Sequence, residues 1–158
     1  MHKKTLIVVL ALALVSGAAF ASGPGGLSGI GVFGAFGGST TGSTGGGVGL
    51  SLKFGSFPVL GIQYDLSGNG RLALACDYYV IDAQGLAGPL SFYLGIGAFG
   101  GVSFGTPASF DLGLRIPIGL QLWPVKKLEL FLAGVPIVRF IPTPSLGLGG
   151  EVGLRVHF

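Results

Sequence analysis

The chain has 158 residues, of which 49% are hydrophobic and only 9% are charged, and its mean hydropathy is +0.77. Soluble domains carry about 25% charged residues, so this chain lacks the side chains for an ordinary water-facing surface. Its 32 glycines argue against long helices, because each interior glycine costs about 1 kcal/mol relative to alanine. These totals favour a membrane protein built from strands.

The N-terminus predicts a secretion signal over residues 1–21. Lys3 and Lys4 provide a positive start, an apolar stretch follows over 6–15, and Ala-Phe-Ala forms a small-x-small cleavage site. We expect residues 22–158 to form one barrel domain; an uncleaved anchor helix is the alternative. Removing the two lysines from the nine basic residues leaves seven against six acidic ones. No basic run remains, so no nucleic-acid partner is expected.

Strict alternation is the clearest structural signal in the chain. In residues 110–122 (FDLGLRIPIGLQL), every even position is a large apolar residue and every odd position is polar, small or proline. A period of two predicts a strand with two unlike faces. Because a strand that crosses a bilayer needs about 9–11 residues, this stretch is long enough to span one.

The same pattern recurs in eight segments, which predicts an all-β fold: an eight-stranded antiparallel transmembrane β-barrel with up-and-down meander topology. An even strand number closes the sheet without an open edge. We expect both termini to face the periplasm. The predicted strands, in chain order, are 28–37, 47–55, 59–66, 71–81, 89–100, 110–122, 128–140 and 146–158.

Turn chemistry separates these segments. The low-complexity stretch 37–46 (GGSTTGSTGG) and the stretch 101–108 are expected to be loops, and 82–88 is expected to be a turn. Pro136 cannot donate to a ladder, so it predicts a bulge or an irregularity in its strand. The uncharged stretch 83–110 could alternatively be a membrane helix, but its glycines, proline and aromatic residues favour strands.

The ionisable residues fall on one side of the predicted strands. Ten of them lie opposite the apolar positions, whereas Asp82, Lys126 and Lys127 lie in predicted turns. A charge on the lipid face of a barrel costs about 2–4 kcal/mol for Arg or Lys at midplane, so these residues should line the lumen as a charge-paired network. That network is Lys53, Asp65, Arg71, Asp77, Asp111, Arg115, Glu129, Arg139, Glu151 and Arg155.

Many predicted inward positions are glycine, among them Gly47, Gly95 and Gly149. Eight strands give an interior that side chains just fill, which favours a plugged barrel. The glycines leave open a water-filled or ligand-sized cavity, so a narrow pore is the alternative. Cys76, the single cysteine, has no disulfide partner and is interpreted as a small buried apolar residue.

Aromatic residues group near the ends of the predicted strands, as expected of the two membrane interfaces. The outward alternation of the last strand, with Leu154, Val156 and Phe158, is interpreted as a signal for the barrel-assembly machinery. The interface aromatics are Phe54, Phe57, Trp123 and Phe158 at the periplasmic rim, and Phe36, Phe104, Phe110 and Phe140 at the outer one.

A catalytic site has little support. His157 is the only histidine after the signal peptide, so a Ser-His-acid lipid hydrolase would have to use it. Its place beside the C-terminus is more typical of a histidine at the rim of the lumen, and we expect no enzyme activity. One cysteine, one histidine and scattered carboxylates predict neither a metal site nor another cofactor.

The C-terminal half resembles an uncharacterised family of spirochaete outer-membrane proteins. The resemblance rests on residues 115–136 (RIPIGLQLWPVKKLELFLAGVP) and 149–158 (GGEVGLRVHF), and it covers residues 89–158 best. It implies an eight-stranded barrel similar to the membrane domain of OmpA, a surface location, and binding of host proteins by some members.

Together these observations predict an outer-membrane barrel that is structural or forms a small pore, with outer-membrane lipid and the barrel-assembly machinery as partners. A surface module that binds a host or envelope ligand through 37–46 and 101–108 is an alternative. Short, nearly uncharged loops argue against a large adhesive surface.

Overall fold

A computed structural model describes residues 27–41, 44–66, 68 and 70–158, so the predicted signal peptide lies outside the described residues. All nine elements in the described part are antiparallel strands. They are β1 (Gly29–Ser39), β2 (Thr44–Lys53), β3 (Val59–Asp65), β4 (Arg71–Ala87), β5 (Leu90–Ser103), β6 (Ser109–Arg115), β7 (Ile118–Val125), β8 (Leu128–Ile141) and β9 (Ser145–His157).

The strands close into a ring of eight. Each strand from β1 to β5 pairs with the next along the chain, β7 pairs with β8, β8 pairs with β9, and β1 pairs with β9, so the sheet has no open edge. β6 and β7 both pair with β5 on one side and β8 on the other, and they therefore occupy one position in the ring. The predicted eight-stranded meander is confirmed.

The register also sets the tilt of the strands. Following paired residues once around the ring from Gly29 leads back to β1 at Ser39, ten residues further along. With a rise of about 3.3 Å per residue and strands about 4.8 Å apart, this stagger corresponds to a tilt of about 40°. That tilt is typical of small closed barrels.

The predicted single strand over 110–122 is interrupted at Ile116 and Pro117. Proline has no amide hydrogen, so Pro117 cannot donate to the ladder. The break does not change the register: Arg115 pairs with Ile137 and Ile118 with Gly134.

Several predicted connections are shorter than expected, because the alternation in glycine-rich stretches is hard to detect. Residues 37–39 and 44–46 belong to β1 and β2, and 101–103 belong to β5. The predicted bounds of the loops 37–46 and 101–108 are therefore wrong.

The predicted turn 82–88 is also wrong, since β4 continues to Ala87. Register shifts near Tyr79, Ile81 and Gly85 disturb its pairing with β5. Bulges of this kind turn side chains away from strict alternation.

The irregularity expected at Pro136 is not found in β8, which is described throughout. Pairing with β9 runs without a shift from Leu128 to Arg139. The carbonyl of Pro136 accepts a 3.0 Å hydrogen bond from the amide of Ile116. The disturbance in β8 lies later, at Phe140, where its pairing with β6 shifts by one residue.

The two faces of the sheet have opposite chemistry. Large apolar side chains such as Val32, Leu74, Ile96 and Leu132 point outward, and each is at least half exposed. Soluble monomers rarely expose apolar patches beyond a few hundred Å², so an outer surface of this kind suits lipid. Cys76 also lies on the outward face and is partly exposed, so the interpretation as a buried residue is wrong.

The helical alternative for residues 83–110 is wrong, because this stretch contributes to β4, β5 and β6. Within the described residues, no helix has the length and apolar character needed for a membrane span.

The barrel has two distinct ends. The terminal end carries the first residue of β1, the last residue of β9 and the β2–β3, β4–β5 and β7–β8 connections. The loop end carries the β1–β2, β3–β4, β5–β6 and β8–β9 connections, and the β6–β7 break lies within the barrel wall. Two connections at the terminal end, 88–89 and 126–127, have two residues each, whereas those at the loop end have three to five.

Candidate functional site: the lumen

The buried carboxylate of Glu129 is the centre of the terminal half of the lumen. Its Oε1 atom lies 2.6 Å from Nη1 of Arg155, and its Oε2 atom lies 2.6 Å from Nε2 of His157. The Nε2 amide of Gln121 donates a further 2.9 Å bond to Oε1. Such charge-assisted contacts offset part of the cost of burying the ions.

Arg155 connects this carboxylate to side chains on β2 and β4 and to an aromatic ring on β8. Its Nε donates to Ser51 Oγ at 2.8 Å, and its Nη2 donates to the hydroxyl of Tyr79 at 3.1 Å. Its guanidinium carbon also lies 4.0 Å from the ring centre of Phe131. The guanidinium carries five N–H donors in a rigid planar fork, so it binds acceptors on several sides in a fixed geometry.

A second buried ion pair lies beside the first. Lys53 Nζ is 2.8 Å from Asp82 Oδ1, and their side chains are 0% and 5% exposed. Asp82 was expected in a turn, but the bulged end of β4 directs it inward. Tyr79 stacks on Tyr93 with ring centres 4.7 Å apart, and Lys53 lies 5.5 Å from the Tyr79 ring centre.

Together these side chains fill the terminal half of the lumen. We call this group the plug. Its members are Lys53, Tyr79, Asp82, Tyr93, Gln121, Glu129, Phe131, Arg155 and His157.

Arg115 lies in the middle of the lumen between two acidic residues. Its Nη1 and Nη2 atoms contact the two oxygens of Glu151 at 2.8 and 3.0 Å, and its Nε lies 3.1 Å from Asp77 Oδ1. We call Arg115, Asp77 and Glu151 the Arg115 layer; between it and the plug lies a gap of about 20 Å³. A gap of that size holds about one water molecule.

The loop end of the lumen is open. A cavity of about 530 Å³, here called the vestibule, reaches from the Arg115 layer to the turns. Phe33, Phe99 and Val135 lie toward its inner end. Glycines on β1, β2 and β9 leave one wall without side chains, which explains why the vestibule is empty while the other half of the lumen is full.

Ion pairs form the opposite wall of the vestibule. Arg71 binds both oxygens of Asp111, with Nε to Oδ1 at 3.0 Å and Nη2 to Oδ2 at 2.6 Å. Arg139 approaches the same carboxylate less closely, with Nε 3.4 Å from Oδ2. Its Nη1 lies 3.5 Å from Ser145 Oγ. Asp65 lines the same mouth and is paired with Arg71 in the β3–β4 register.

All ten residues expected in the lumenal charge network lie at inward positions, and nine of them take part in the ion pairs above. For the tenth, Asp65, the inward position follows from its place in the vestibule lining. Asp82, Gln121, Ser51 and Tyr79 also belong to the network. The alternation of inward and outward positions identifies Gln121, Ser51 and Tyr79 as inward. It does not identify Asp82, because the bulges in β4 shift the alternation before that residue.

His157 is engaged on both sides of its ring. Nε2 contacts Glu129 and Nδ1 lies 3.3 Å from the carbonyl oxygen of Leu27. The ring of Trp123 packs against it with centres 4.9 Å apart. In the part of the chain that the structure describes, His157 therefore has acceptors and an aromatic neighbour around it rather than a serine hydroxyl.

The aromatic residues expected at the interfaces divide between the two ends. Phe57 and Phe158 are exposed at the terminal end, Phe54 is partly buried there, and Trp123 is half-buried against His157. Phe36, Phe104, Phe110 and Phe140 are exposed toward the loop end, and Leu154, Val156 and Phe158 point outward on or beside β9. Their depth in a membrane and their role in assembly stay predictions.

Solved structures with the same fold are known. The chain is similar to the N-terminal β-barrel domain of Pseudomonas aeruginosa OprF, with 11% identity and a TM-score of 0.54; the match covers 82% of this chain and 98% of that one. It is similar to Neisserial surface protein A (NspA) with 14% identity and a TM-score of 0.54, over 87% and 100% of the two chains.

No family model and no curated protein matches the chain. The resemblance to a spirochaete family therefore rests only on the sequence motifs in residues 115–136 and 149–158. The structural likeness supports the expected OmpA-like architecture, and at these identities it establishes the fold: the chain is an eight-stranded β-barrel.

Proposed function

We propose that the chain is an outer-membrane β-barrel with a structural role, whose lumen is closed at the terminal end and open at the loop end. The observation that carries this proposal is the plug. Lys53, Gln121, Glu129 and His157 are each at most 1% exposed, and aromatic rings pack around them. Ions cannot cross a lumen filled in this way without displacing paired charges, so the proposal favours the plugged barrel over the pore.

Three features support the location in an outer membrane. The outward face is apolar and the ionisable residues are inside, as lipid exposure requires. The N-terminal residues have the pattern of a secretion signal. The fold is shared with the barrel domain of OprF. Membership of a spirochaete family remains part of the proposal, because only the sequence resemblance supports it.

The proposed orientation places the terminal end in the periplasm. Outer-membrane barrels have short periplasmic turns and longer outer loops, and the two-residue connections 88–89 and 126–127 lie at the terminal end. Outer-membrane lipid then surrounds the barrel, and the barrel-assembly machinery inserts it by reading Leu154, Val156 and Phe158.

The position of His157 supports the proposal that the chain is not an enzyme. Its ring is 1% exposed, its nitrogens face Glu129 and Leu27, and it lines neither the vestibule nor the one-water gap. Binding of a host protein through the outer loops receives less support, because residues 37–39, 44–46 and 101–103 belong to strands.

Planar-bilayer recording tests the closed lumen. The purified barrel, inserted into a lipid bilayer in 1 M KCl, should give no steady single-channel steps. Insertion must be checked independently, by the mobility shift between unboiled and boiled samples. Regular ohmic steps from a correctly folded sample would contradict the proposal and favour a pore.

A further inference from the structure

We propose that the vestibule is a binding site for a small amphiphile with one carboxylate group on an apolar body. The space exists because glycines without side chains line the vestibule on β1, β2 and β9. Its volume of about 530 Å³ falls within the range of ligand pockets, about 300–1,000 Å³. It opens at one end only, because the plug fills the lumen beneath it.

The inner part of the vestibule suits an apolar group. Phe33, Phe99 and Val135 lie there and are almost wholly buried, and Ile137 lines the wall above them. Glycines on β2 and β9, among them Gly45 and Gly147, also line the vestibule and offer flat backbone. An aromatic ring or a short alkyl chain would contact both surfaces.

The mouth supplies a donor for an anion. Both oxygens of Asp111 are already bound by Arg71 at 3.0 and 2.6 Å. Arg139 reaches Asp111 and Ser145 at 3.4 and 3.5 Å only, and its buried Nε has no hydrogen-bond partner. Charge-assisted bonds normally measure about 2.7–2.9 Å, so Arg139 is the least satisfied cation in the lumen.

A carboxylate matches this donor better than a neutral group does. The guanidinium fork binds planar carboxylates through two parallel bonds. Arg71 and Arg139 are balanced by Asp65 and Asp111 at the mouth, so a strongly charged anion is disfavoured and a single negative charge fits. The ligand therefore places its carboxylate at Arg139 and its apolar body against Phe33 and Phe99.

Calorimetric titration of the detergent-solubilised full chain with 4-phenylbutyrate, compared with 4-phenylbutan-1-ol, tests the proposal. The two probes share an apolar body, and titration into protein-free micelles removes their partitioning into detergent. We expect the carboxylate to bind at least about tenfold more tightly, as one charge-assisted contact allows. Equal affinities, or heats no different from micelles alone, would overturn the proposal.

Matched variants locate the site. Arg139→Gln should remove the preference for the carboxylate, and Ala35→Leu, which extends a side chain into the vestibule, should abolish binding of both probes. Gly134→Ala, on the outward face with no atom within 4 Å of the added carbon, should bind like the wild type. Each variant is first shown to fold by its gel mobility shift. Unchanged binding by folded Arg139→Gln and Ala35→Leu would place the ligand elsewhere and overturn the proposal.

Discussion

Glu129 and Arg155 form an ion pair that is closed off from water inside the barrel. Oε1 of Glu129 lies 2.6 Å from Nη1 of Arg155, and the two side chains are 0% and 3% exposed. The residues are paired neighbours on β8 and β9, so the strand register itself brings them together. Ser51, Tyr79, Gln121 and His157 complete the contacts around the pair.

Removing the carboxylate should strongly destabilise the barrel. Glu129→Ala leaves the buried Arg155 charge without its main partner, which costs about 3–5 kcal/mol in the free energy of unfolding. Urea unfolding in lipid vesicles, followed by tryptophan fluorescence, measures this change. Lys127→Ala alters a charge in an exposed turn and should stay within about 0.5 kcal/mol. Equal effects of the two variants would show that the plug does not stabilise the fold.

Lys53 and Asp82 should behave as a coupled pair. Each single variant, Lys53→Met or Asp82→Asn, leaves the other group buried without its partner, whereas the double variant leaves no charge. We expect the double variant to be more stable than the sum of the single effects by over about 1 kcal/mol. The same urea unfolding assay completes the double-mutant cycle. Additive effects would mean that Asp82 points toward solvent and does not contact Lys53.

Emptying the plug should open the lumen. Tyr93→Ala combined with Phe131→Ala removes two large aromatic side chains of the plug, both at most 3% exposed. We expect this double variant to give single-channel steps in bilayers where the wild type gives none. Phe99→Ala removes a ring of the same kind from the vestibule, on the far side of the plug, and should stay silent. Conductance through the single variant Phe99→Ala would place the barrier to ions in the vestibule and would contradict the assignment of that barrier to the plug.

Two glycines should respond in opposite ways to the same substitution. A Cβ added at Gly153 would meet the Phe131 and Phe33 side chains at 2.6 and 2.7 Å, so Gly153→Ala should cost about 1–3 kcal/mol. Gly134 has nothing within 4 Å of that position, and alanine there should be neutral or stabilising by about 0.5–1 kcal/mol. Urea midpoints that moved the same way for both would contradict the assignment of inward and outward faces.

Simple alternation predicts much of this barrel, since it places Lys53, Arg115 and Glu151 on the inward face. It fails at Asp82, because bulges in β4 shift the parity of the residues after Tyr79. It also misses the interruption at Pro117, where apolar and small residues continue to alternate without regular pairing. A period of two residues alone predicts neither the bulges in β4 nor the interruption of pairing at Pro117.

Alternation alone does not predict which charged side chains form ion pairs inside the lumen. Arg115 and Glu151 are 36 residues apart and lie on strands that are not neighbours, so their contact depends on the ten-residue stagger and the width of the closed ring. The vestibule depends on the same geometry, because it arises where the glycines of β1, β2 and β9 reach the same level. Alternation predicts the inward position of Gly149, whereas Gly37, Gly38 and Gly45 fall in the stretch expected to be a loop. Whether these glycines enclose one cavity or several small gaps follows only from the register.

Accessibility of single cysteines to a membrane-impermeant maleimide tests the one-ended lumen most directly. In a Cys76→Ala background, which has no other cysteine, Ser103→Cys lies in the vestibule and Ser51→Cys lies beside the one-water gap next to the plug. In intact cells we expect rapid labelling at 103 and protection at 51. Rapid labelling at 51 would show that water passes through the barrel, and labelling at 103 only after the outer membrane is opened would show that the vestibule faces the periplasm.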